Sequence, residues 1–332
     1  MPSKRMSGLS FLLAALLSSC AGAPAPIQLE PPGDPAEQGR ARPWQAPRDI
    51  DVLSWNLGFG GLGEGAEFYP DGGRWLIPSL RRDVLRYVQG IGAFLGNAGA
   101  DLFLLQEAAR PSAVNHWVDL LAAVEKSLPG RWRAYSPDAA IAFPRVSVGL
   151  ATFAPGPPAA VQRLELPGQT RWQRYHLLVT RFPLACGSGE LVLANVHLSA
   201  FDPAASVRHR QLEAVADFLR AEERRGAHVV LGGDWNLLLA ETRFPHTTAQ
   251  RHLYWLHPLP PTFPPPGWRL AADQRVASVR TLERPYVRGA NYTAVIDGFL
   301  VSPNVSVLSV RAVDLGFRFS DHQPVAVRLR LD

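Results

Sequence analysis

The chain has 332 residues, of which 47% are hydrophobic and 19% are charged. This composition excludes an intrinsically disordered protein, and the length is enough for one large domain or two modest ones. The 34 basic and 29 acidic residues give a net charge of +5. This charge falls to +3 if the N-terminal segment that contains Lys4 and Arg5 is removed, and it then supports a polyanionic partner only weakly.

The first nineteen residues predict an export signal. Lys4 and Arg5 precede an apolar run over residues 9–17, which is too short for an ordinary membrane span. The run ends in Leu-Ser-Ser-Cys20 and resembles a bacterial lipoprotein signal, in which the cysteine is lipidated and becomes the first mature residue. The alternative is a plain secretory peptide. We therefore expect a signal peptide over residues 1–19 and lipidation at Cys20.

This leader predicts a location in the cell envelope. Ala21 stands where an aspartate would favour inner-membrane retention, so the resemblance implies the outer membrane in a cell with two membranes, with secretion as the alternative. Residues 20–47 are rich in Pro, Ala and Gly and predict a flexible tether, which leaves a folded domain over residues 48–332. Cys186 is the only other cysteine, so an acylated Cys20 leaves no intramolecular disulfide.

The domain opens with two strand patterns separated by a loop and a helix. Residues 49–56 alternate in polarity and predict a strand ending at Asn56. A loop with seven glycines follows, and the spacing of apolar residues from 77 to 91 then predicts a helix. Residues 100–107 predict a buried strand that ends in Glu107. A carboxylate at the end of an apolar strand requires a compensating cation.

The middle of the chain predicts a helix, two short strands and a hairpin, in that order, at residues 115–128, 132–135, 147–153 and 174–198. The second strand of the hairpin carries Asn195 and His197, which share one face because side chains alternate along a strand. A helix over residues 208–221 follows. Strands that alternate with helices, together with a hairpin, favour an α/β domain with mixed sheets.

The stretch His-Val-Val-Leu-Gly-Gly-Asp-Trp-Asn over residues 228–236 predicts a buried strand that ends in polar side chains. Asp234 and Asn236 fall on one face and Trp235 on the other. The two glycines allow another backbone or a ligand to approach closely where the strand ends.

The last third of the chain is irregular until it recovers two strand patterns. Three histidines in residues 241–290 have spacings that fit no zinc motif, at His246, His252 and His257. Residues 294–302 predict a strand that contains Asp297. Residues 319–331 predict a final strand, and Asp321 and His322 come just before its apolar run.

Six short motifs, in this order, resemble the endonuclease/exonuclease/phosphatase superfamily: Asn56, Gln106-Glu107, Asn195-Val-His197, Gly233-Asp-Trp-Asn236, Ile296-Asp297 and Ser320-Asp-His322. This superfamily includes deoxyribonuclease-type nucleases, apurinic endonucleases, inositol-polyphosphate phosphatases and bacterial sphingomyelinases. The resemblance extends from about residue 49 to the end. It implies a four-layer α/β/β/α sandwich, in which two mixed sheets are flanked by helices and the site lies at one end of the sheets.

The resemblance also implies a metal site. Glu107 is the expected ligand, with Asn56 beside it and Asp321 as a further member of the set. A hard divalent ion such as Mg²⁺, or Mn²⁺ in its place, prefers oxygen ligands and retains bound water, so one or two carboxylates are enough to hold it.

The remaining motif residues receive catalytic roles by the same resemblance. Asp234 is expected to orient or deprotonate the attacking water, and Asn236 to hold a phosphoryl oxygen. His322, oriented by Asp321 through one ring nitrogen, is either the base or a phosphate contact. His197 is expected to donate a hydrogen bond to the phosphoryl group.

Two further positions complete the expected site. Asp297 would fix the hydrogen bonds around it. Many relatives place an additional acidic or tyrosyl residue between the glutamate and the first histidine, and this sequence offers no unambiguous match. Arg145, Ser147 and Tyr175 are the candidates.

The predicted function is a divalent-metal-dependent phosphodiesterase that is exported, lipid-anchored and monomeric. A phospholipid substrate would suit the anchor, with the glycine-rich loop 58–73 leaning on the bilayer. A nuclease is the alternative, favoured by Arg280, Arg284 and Arg288, although no basic run stands out. A third alternative, a non-catalytic binding lipoprotein, conflicts with the complete set of site residues.

Overall fold

The computed structural model describes residues 42–141, 146–170 and 173–332. The predicted signal peptide, Cys20, most of the predicted tether and Arg145 lie outside the described residues. Within them, no helix is both long and apolar enough to cross a membrane.

The domain begins earlier than the tether boundary at residue 47 predicts. The Trp44 ring packs edge-on against Phe182, with ring centroids 5.3 Å apart. Ala46 is buried; its N–H donates to the carbonyl of Pro183 and its carbonyl accepts from the N–H of Ala185, both at 2.8 Å. Residues 44–46 therefore contact the domain ahead of the predicted boundary, through an isolated bridge between Ala46 and Leu184 that leaves no strand pattern in the sequence.

Strands β1 to β14 run over Asp49–Asn56, Leu102–Ala109, Trp132–Ile141, Val146–Ala154, Ala160–Glu165, His176–Pro183, Glu190–His197, His228–Asp234, Arg269–Ala271, Val279–Arg280, Thr293–Ala294, Asp297–Val301, Val305–Ala312 and Val325–Leu331. Helices α1 to α3 run over Arg81–Asn97, Leu120–Ser127 and Ser206–Arg224.

Two six-stranded sheets form the centre of the fold. The first has the order β13-β14-β1-β2-β4-β3 and the second the order β5-β6-β7-β8-β12-β9, while β10 and β11 form a separate ribbon. Both sheets are mixed, because β1 and β2 pair in parallel, as do β7 and β8, among antiparallel neighbours. The sheets face each other across a shared apolar core that includes Val52, Leu104, Leu193 and Phe299.

The helices cover the outer faces of the two sheets. Helices α1 and α2 pack on the first sheet and α3 packs on the second, each through its own apolar cluster. This arrangement confirms the predicted four-layer sandwich. Helix α2 begins at Leu120 instead of residue 115, because the Asp119 carboxylate caps it by accepting from the N–H of Ala122 at 3.0 Å. The preceding His116 and Trp117 have left-handed backbones and interrupt the predicted helix.

Buried side-chain amides join the two sheets. Gln106 on β2 donates from Nε2 to Oδ1 of Asn195 on β7 at 2.7 Å. The amide nitrogen of Asn195 returns two hydrogen bonds to the first sheet, to the carbonyls of Leu105 and Ala151. All of these groups are buried, so each unmade hydrogen bond would carry a full desolvation cost. These bonds fix how the strand ends of one sheet lie over those of the other.

We expect Asn195→Leu to lower the free energy of unfolding by about 2–4 kcal/mol, because it removes three buried hydrogen bonds, one from Gln106 and two to backbone carbonyls. Urea unfolding followed by circular dichroism measures the change. Asn97→Leu is the matched control, because the exposed Asn97 amide bonds only to a carbonyl of its own helix. Equal destabilisation of the two variants would contradict the proposed role of Asn195.

Candidate active site

The register of the second sheet places three predicted site residues side by side. His197 pairs with Asp234 between the parallel strands β7 and β8, and Asp234 pairs with Asp297 between the antiparallel strands β8 and β12. The three residues therefore form one row at the same end of the sheet.

The first sheet contributes Asn56 and Glu107 to the same end. The Asn56 amide nitrogen lies 3.2 Å from Oε1 of Glu107 and 3.0 Å from Oδ2 of Asp234, so it connects carboxylates of both sheets. A register shift between Leu105 and Ala108 interrupts β2 at Glu107, whose φ is +50°. Such a bulge redirects a side chain, and the left-handed conformation costs about 1–3 kcal/mol. The strained backbone thus serves to direct Glu107 toward the site.

Two glycines allow the segments of the site to approach closely. A Cβ atom on Gly233, whose φ is +151°, would lie 1.9 Å from the carbonyl oxygen of Val196. A Cβ atom on Gly58 would lie 2.8 Å from Oδ1 of Asp321. No larger residue fits at Gly233, which explains the Gly-Gly-Asp sequence at the end of β8.

The hydrogen-bond partner of His322 differs from the sequence prediction. Its Nδ1 lies 2.9 Å from Oδ2 of Asp297, and its Nε2 lies 3.6 Å from Oδ2 of Asp234. The predicted hydrogen bond from Asp321 was wrong, because the side chains of successive residues in an extended segment diverge. Asp321 lines the cleft instead, and its Oδ1 accepts from the Ser320 hydroxyl at 3.3 Å.

Electrostatics favour a protonated His322. Burial alone lowers the pKa of this imidazole, but the negative charges of Asp297, Asp234 and Asp321 outweigh it and raise the pKa well above its ordinary value. Burial also raises the pKa of Asp297 to about 6, against the opposing charge of His322. The Nδ1–H of His322 therefore donates to the Asp297 carboxylate, which stabilises the charged ring.

His197 is held by an acidic residue that sequence reasoning missed. Asp138, buried on β3, places Oδ2 3.8 Å from Nδ1 of His197, whose Nε2 lies 3.6 Å from Asp234 and 3.9 Å from Glu107. Burial lowers the pKa of His197, but the contact with Asp138 and the charges of Asp234 and Glu107 outweigh it and raise the pKa to about 9.

Asp138 lies between Glu107 and His197 in the chain, where the sequence offered only Arg145, Ser147 and Tyr175 as candidates, and it is the acidic side chain that faces Nδ1 of His197. Neither Ser147 nor Tyr175 lines the cleft. Asp138 was missed because β3 continues to residue 141, beyond the predicted end at residue 135. Pro137 and a register shift at residues 137–139 disturb the alternation there, although an acidic residue directly after the predicted strand was a usable signal.

These side chains open into a cleft of about 190 Å³. Six predicted site residues line it: Glu107, His197, Asp234, Asn236, Asp321 and His322. Asn56 and Asp297 lie directly behind them through the hydrogen bonds described above. The rest of the lining is largely apolar and aromatic and includes Phe59, Phe68, Phe201 and Trp255.

Arg280 is the arginine that lines the cleft, and it is buried. Its guanidinium donates to the backbone carbonyls of Gly63 at 2.7 Å and of Thr281 at 3.1 Å. Arg284 and Arg288, which the sequence placed near the site, are outside the lining and lie beside the carboxylates of Glu283 and Asp314.

The donor set fits a hard divalent cation. Asp234, Asp297 and His322 place potential ligand atoms within 4.8 Å of one another, and the oxygens of Glu107 and Asp321 line the same cleft. Removal from bulk water raises the pKa of Glu107 to about 7, although His197 and Asn56 oppose that shift. Carboxyl groups outnumber basic groups here: Asp71, Glu107, Asp138, Asp234, Asp297 and Asp321 against His197, Arg280 and His322. A cation would balance this excess of acid.

Comparison with known proteins points to one family. Residues 53–322 match the sequence model of the endonuclease/exonuclease/phosphatase family. No curated protein matches the chain.

Solved structures of low sequence identity share the fold. An endonuclease/exonuclease/phosphatase protein from Beutenbergia cavernae DSM 12333 is 20% identical, with a TM-score of 0.55 over 86% of this chain and 72% of that one. Truncated TDP2 from Caenorhabditis elegans is 16% identical, with a TM-score of 0.54 over 85% and 97%. TDP2 from D. rerio, complexed with a single-strand DNA product, is 14% identical, with a TM-score of 0.55 over 85% and 99%.

We expect Asp297→Asn to lower the pKa of His322, because it removes the negative charge that most strongly favours the imidazolium. Asp321→Asn should lower that pKa less. Nuclear magnetic resonance titration of labelled histidine measures both, with the His322 signal assigned from its loss in His322→Gln. The His197 signal serves as the internal reference. A larger effect of Asp321→Asn than of Asp297→Asn would contradict the assigned pairing.

Proposed function

The chain belongs to the endonuclease/exonuclease/phosphatase family, and from this premise we propose that it is a divalent-metal-dependent phosphodiesterase. One observation carries the proposal: six separated chain segments bring Asn56, Glu107, His197, Asp234, Asp297 and His322 to the same end of the two sheets. Hydrolysis of a phosphodiester requires charge neutralisation, an activated water and a proton for the leaving oxygen, and this set contains groups for each task.

The proposed ion is Mg²⁺, with Mn²⁺ as its substitute. Glu107 would hold it, with Asp321 as a further oxygen donor. Asn56 lies beside Glu107, but its amide nitrogen faces that carboxylate and its Oδ1 accepts from the N–H of Gly58, so it would position Glu107. When bound, the ion supplies neutralisation of the phosphoryl oxygens and lowers the pKa of a water. Its charge would also offset the excess of carboxylates in the cleft.

Asp234 is the proposed acceptor of the water proton. Its two oxygens are fixed by the Asn56 amide at 3.0 Å and by the N–H of Asn236 at 2.9 Å. His322 is already protonated by virtue of its raised pKa, so it is suited to donate a proton and not to accept one. This division of roles supports Asp234 over His322 as the proposed base.

The two histidines and Asn236 would contact the phosphoryl group. His197 and His322 carry protonated rings, which are held by Asp138 and Asp297. The imidazolium that lies beside the leaving oxygen of the substrate would donate its proton to that oxygen. The Asn236 amide donates one hydrogen to the carbonyl of Leu198 at 2.9 Å. Because a carboxamide has two such hydrogens, the second is available for a phosphoryl oxygen.

The lining of the cleft favours a substrate that is not a polyanion. The guanidinium of Arg280 is already hydrogen-bonded to backbone carbonyls, and carboxyl groups outnumber basic groups in the cleft. A phospholipid head group, with one phosphodiester beside an apolar portion, suits such a lining. A nuclease is the second candidate, because Phe59, Phe68 and Phe201 offer rings on which bases could stack, and a single-strand DNA product is bound in the D. rerio TDP2 structure.

We also propose that the protein is exported and anchored in the cell envelope through a lipid on Cys20. The support is the order of positive charge, apolar run and Leu-Ser-Ser-Cys at the start of the chain.

The activity is tested by incubating the purified chain and Mg²⁺ with an activated diester, sphingomyelin and plasmid DNA. We expect cleavage of the diester, and a loss of kcat/KM of about 100-fold or more in Glu107→Gln and in His322→Ala. The exposed Cys186 provides the control, since Cys186→Ala should retain full activity. No cleavage of any substrate with Mg²⁺ or Mn²⁺ would instead favour a non-catalytic binding lipoprotein.

The anchor is tested by expressing the full chain in bacteria supplied with radiolabelled palmitate. The wild-type chain should incorporate the label and fractionate with membranes, whereas Cys20→Ser should incorporate none. Cys186→Ser should behave as the wild type does. An unlabelled wild-type chain in the soluble envelope fraction would establish the plain secretory alternative.

A further inference from the structure

A concentration of exposed apolar side chains lies just beyond the glycine-rich loop. Among the described residues, eleven large hydrophobic side chains are exposed, and six of these fall within seventeen positions: Tyr69, Trp75, Leu76, Ile77, Leu80 and Leu85. Trp75 and Leu80 each expose 57% of their surface. Single exposed hydrophobic residues are ordinary, but a cluster of this kind marks a surface that contacts something apolar.

The fold holds this cluster in place. The N–H of Tyr69 donates to the carbonyl of Trp75 at 2.9 Å, and the Ser79 hydroxyl donates to the carbonyl of Gly61 at 2.7 Å. The carbonyl of Ser79 also lies 2.7 Å from the His116 ring nitrogen Nε2, which brings the segment of Trp117 alongside. We call Trp75, Leu76, Ile77, Leu80 and Trp117 the apolar patch.

Trp117 adds an independent indication. It and His116 both have left-handed backbones, with φ of +62° and +50°. Each costs about 1–3 kcal/mol, and burial of the indole does not offset the cost, because Trp117 is 59% exposed. Strain that presents a tryptophan to solvent is typical of a functional surface.

Arginines stand at both ends of the apolar run, but Arg74 donates two hydrogen bonds to the Glu67 carboxylate, so the exposed Arg81 and Arg82 are the ones that would meet lipid phosphates. The sequence over residues 74–82 is Arg-Trp-Leu-Ile-Pro-Ser-Leu-Arg-Arg. The side chain of Arg82 is 81% exposed, and its ion pair with Asp83 is loose, at 3.8 Å. Apolar side chains with a tryptophan, bordered by arginines, match a bilayer interface, where the apolar groups enter the acyl region and the guanidinium groups meet phosphates.

Residues 74–82 directly follow, along the chain, the loop that lines the cleft. Phe59, Phe68 and Asp71 of that loop line the cleft, whereas the side chains at positions 75–77 are exposed. The bilayer contact predicted for loop 58–73 therefore shifts to residues 74–82, because Phe59 is buried and Phe68 is partly buried within the domain.

We propose that residues 74–82 together with Trp117 form a docking surface for a bilayer that contains anionic phospholipid. The docking depends only on the apolar patch and its arginines. A further step, in which docking delivers a lipid-borne phosphodiester to the cleft, rests on the proposed function.

Vesicle co-sedimentation tests the docking with residues 42–332, which contain both sheets, the three helices and their core. Vesicles of phosphatidylcholine with phosphatidylglycerol are compared with vesicles of phosphatidylcholine alone. The variant Trp75→Ser/Leu76→Ser/Ile77→Ser should bind the mixed vesicles at least about tenfold more weakly than the wild type. The control Leu164→Ser/Val287→Ser/Leu308→Ser removes exposed hydrophobic residues elsewhere and should bind as the wild type does.

The arginines are tested separately. Arg81→Gln/Arg82→Gln should weaken binding to the mixed vesicles by roughly thirtyfold and leave binding to phosphatidylcholine alone unchanged, since each arginine near an anionic surface contributes about 1 kcal/mol. Equal thermal unfolding midpoints of all variants would establish that the fold is retained.

Cleavage of a soluble diester, measured in parallel, separates the two proposals. A patch variant that cleaves the soluble diester normally but no longer binds vesicles supports the docking surface. A wild-type domain that binds no vesicles, or binds them as tightly without the apolar patch, overturns it whatever its activity. Patch-dependent binding without any diester cleavage would overturn the proposed function and leave the docking surface standing.

Discussion

The site depends on a small set of buried amide hydrogen bonds between the two sheets. Gln106 and Asn195 join β2 to β7, and the Asn56 amide lies between the carboxylates of Glu107 and Asp234. Apolar packing alone would hold two sheets together without fixing how far one slides over the other. Polar groups that are costly to leave unpaired impose a single alignment, and this alignment brings the strand ends of both sheets to one cleft.

Charge is the second constraint on the site. Acidic groups from both sheets surround His197 and His322, and the attraction of these carboxylates outweighs the cost of burying two imidazolium rings. The same excess of acid leaves room for a further cation. A protonated ring in each of two positions, with a carboxylate between them, is an arrangement suited to a phosphoryl group whose negative charge increases during reaction.

Much of the fold and most of the site could be predicted from the sequence, because central strands read as apolar runs that end in polar residues. Edge strands such as β5 and β13 are half exposed and carry no such pattern. The pairing of His322 with Asp297 depends on sheet register, which adjacency in sequence does not reveal. Asp138 follows a proline at a bulge, where alternation fails.

The contact of Ala46 with Pro183 and Ala185 sets where the chain enters the domain. In the hairpin of β6 and β7, Pro183 pairs with Glu190, whereas His197 lies at the other end of β7, so the chain enters the domain at the end remote from the cleft. A strand of this length spans roughly 26 Å. If Cys20 is the anchor point, the residues between it and Trp44 reach at most about 80 Å when extended. Under the proposed anchoring, this contour length is about three times the length of β7, so the cleft is within reach of the anchoring membrane as well as of a different one.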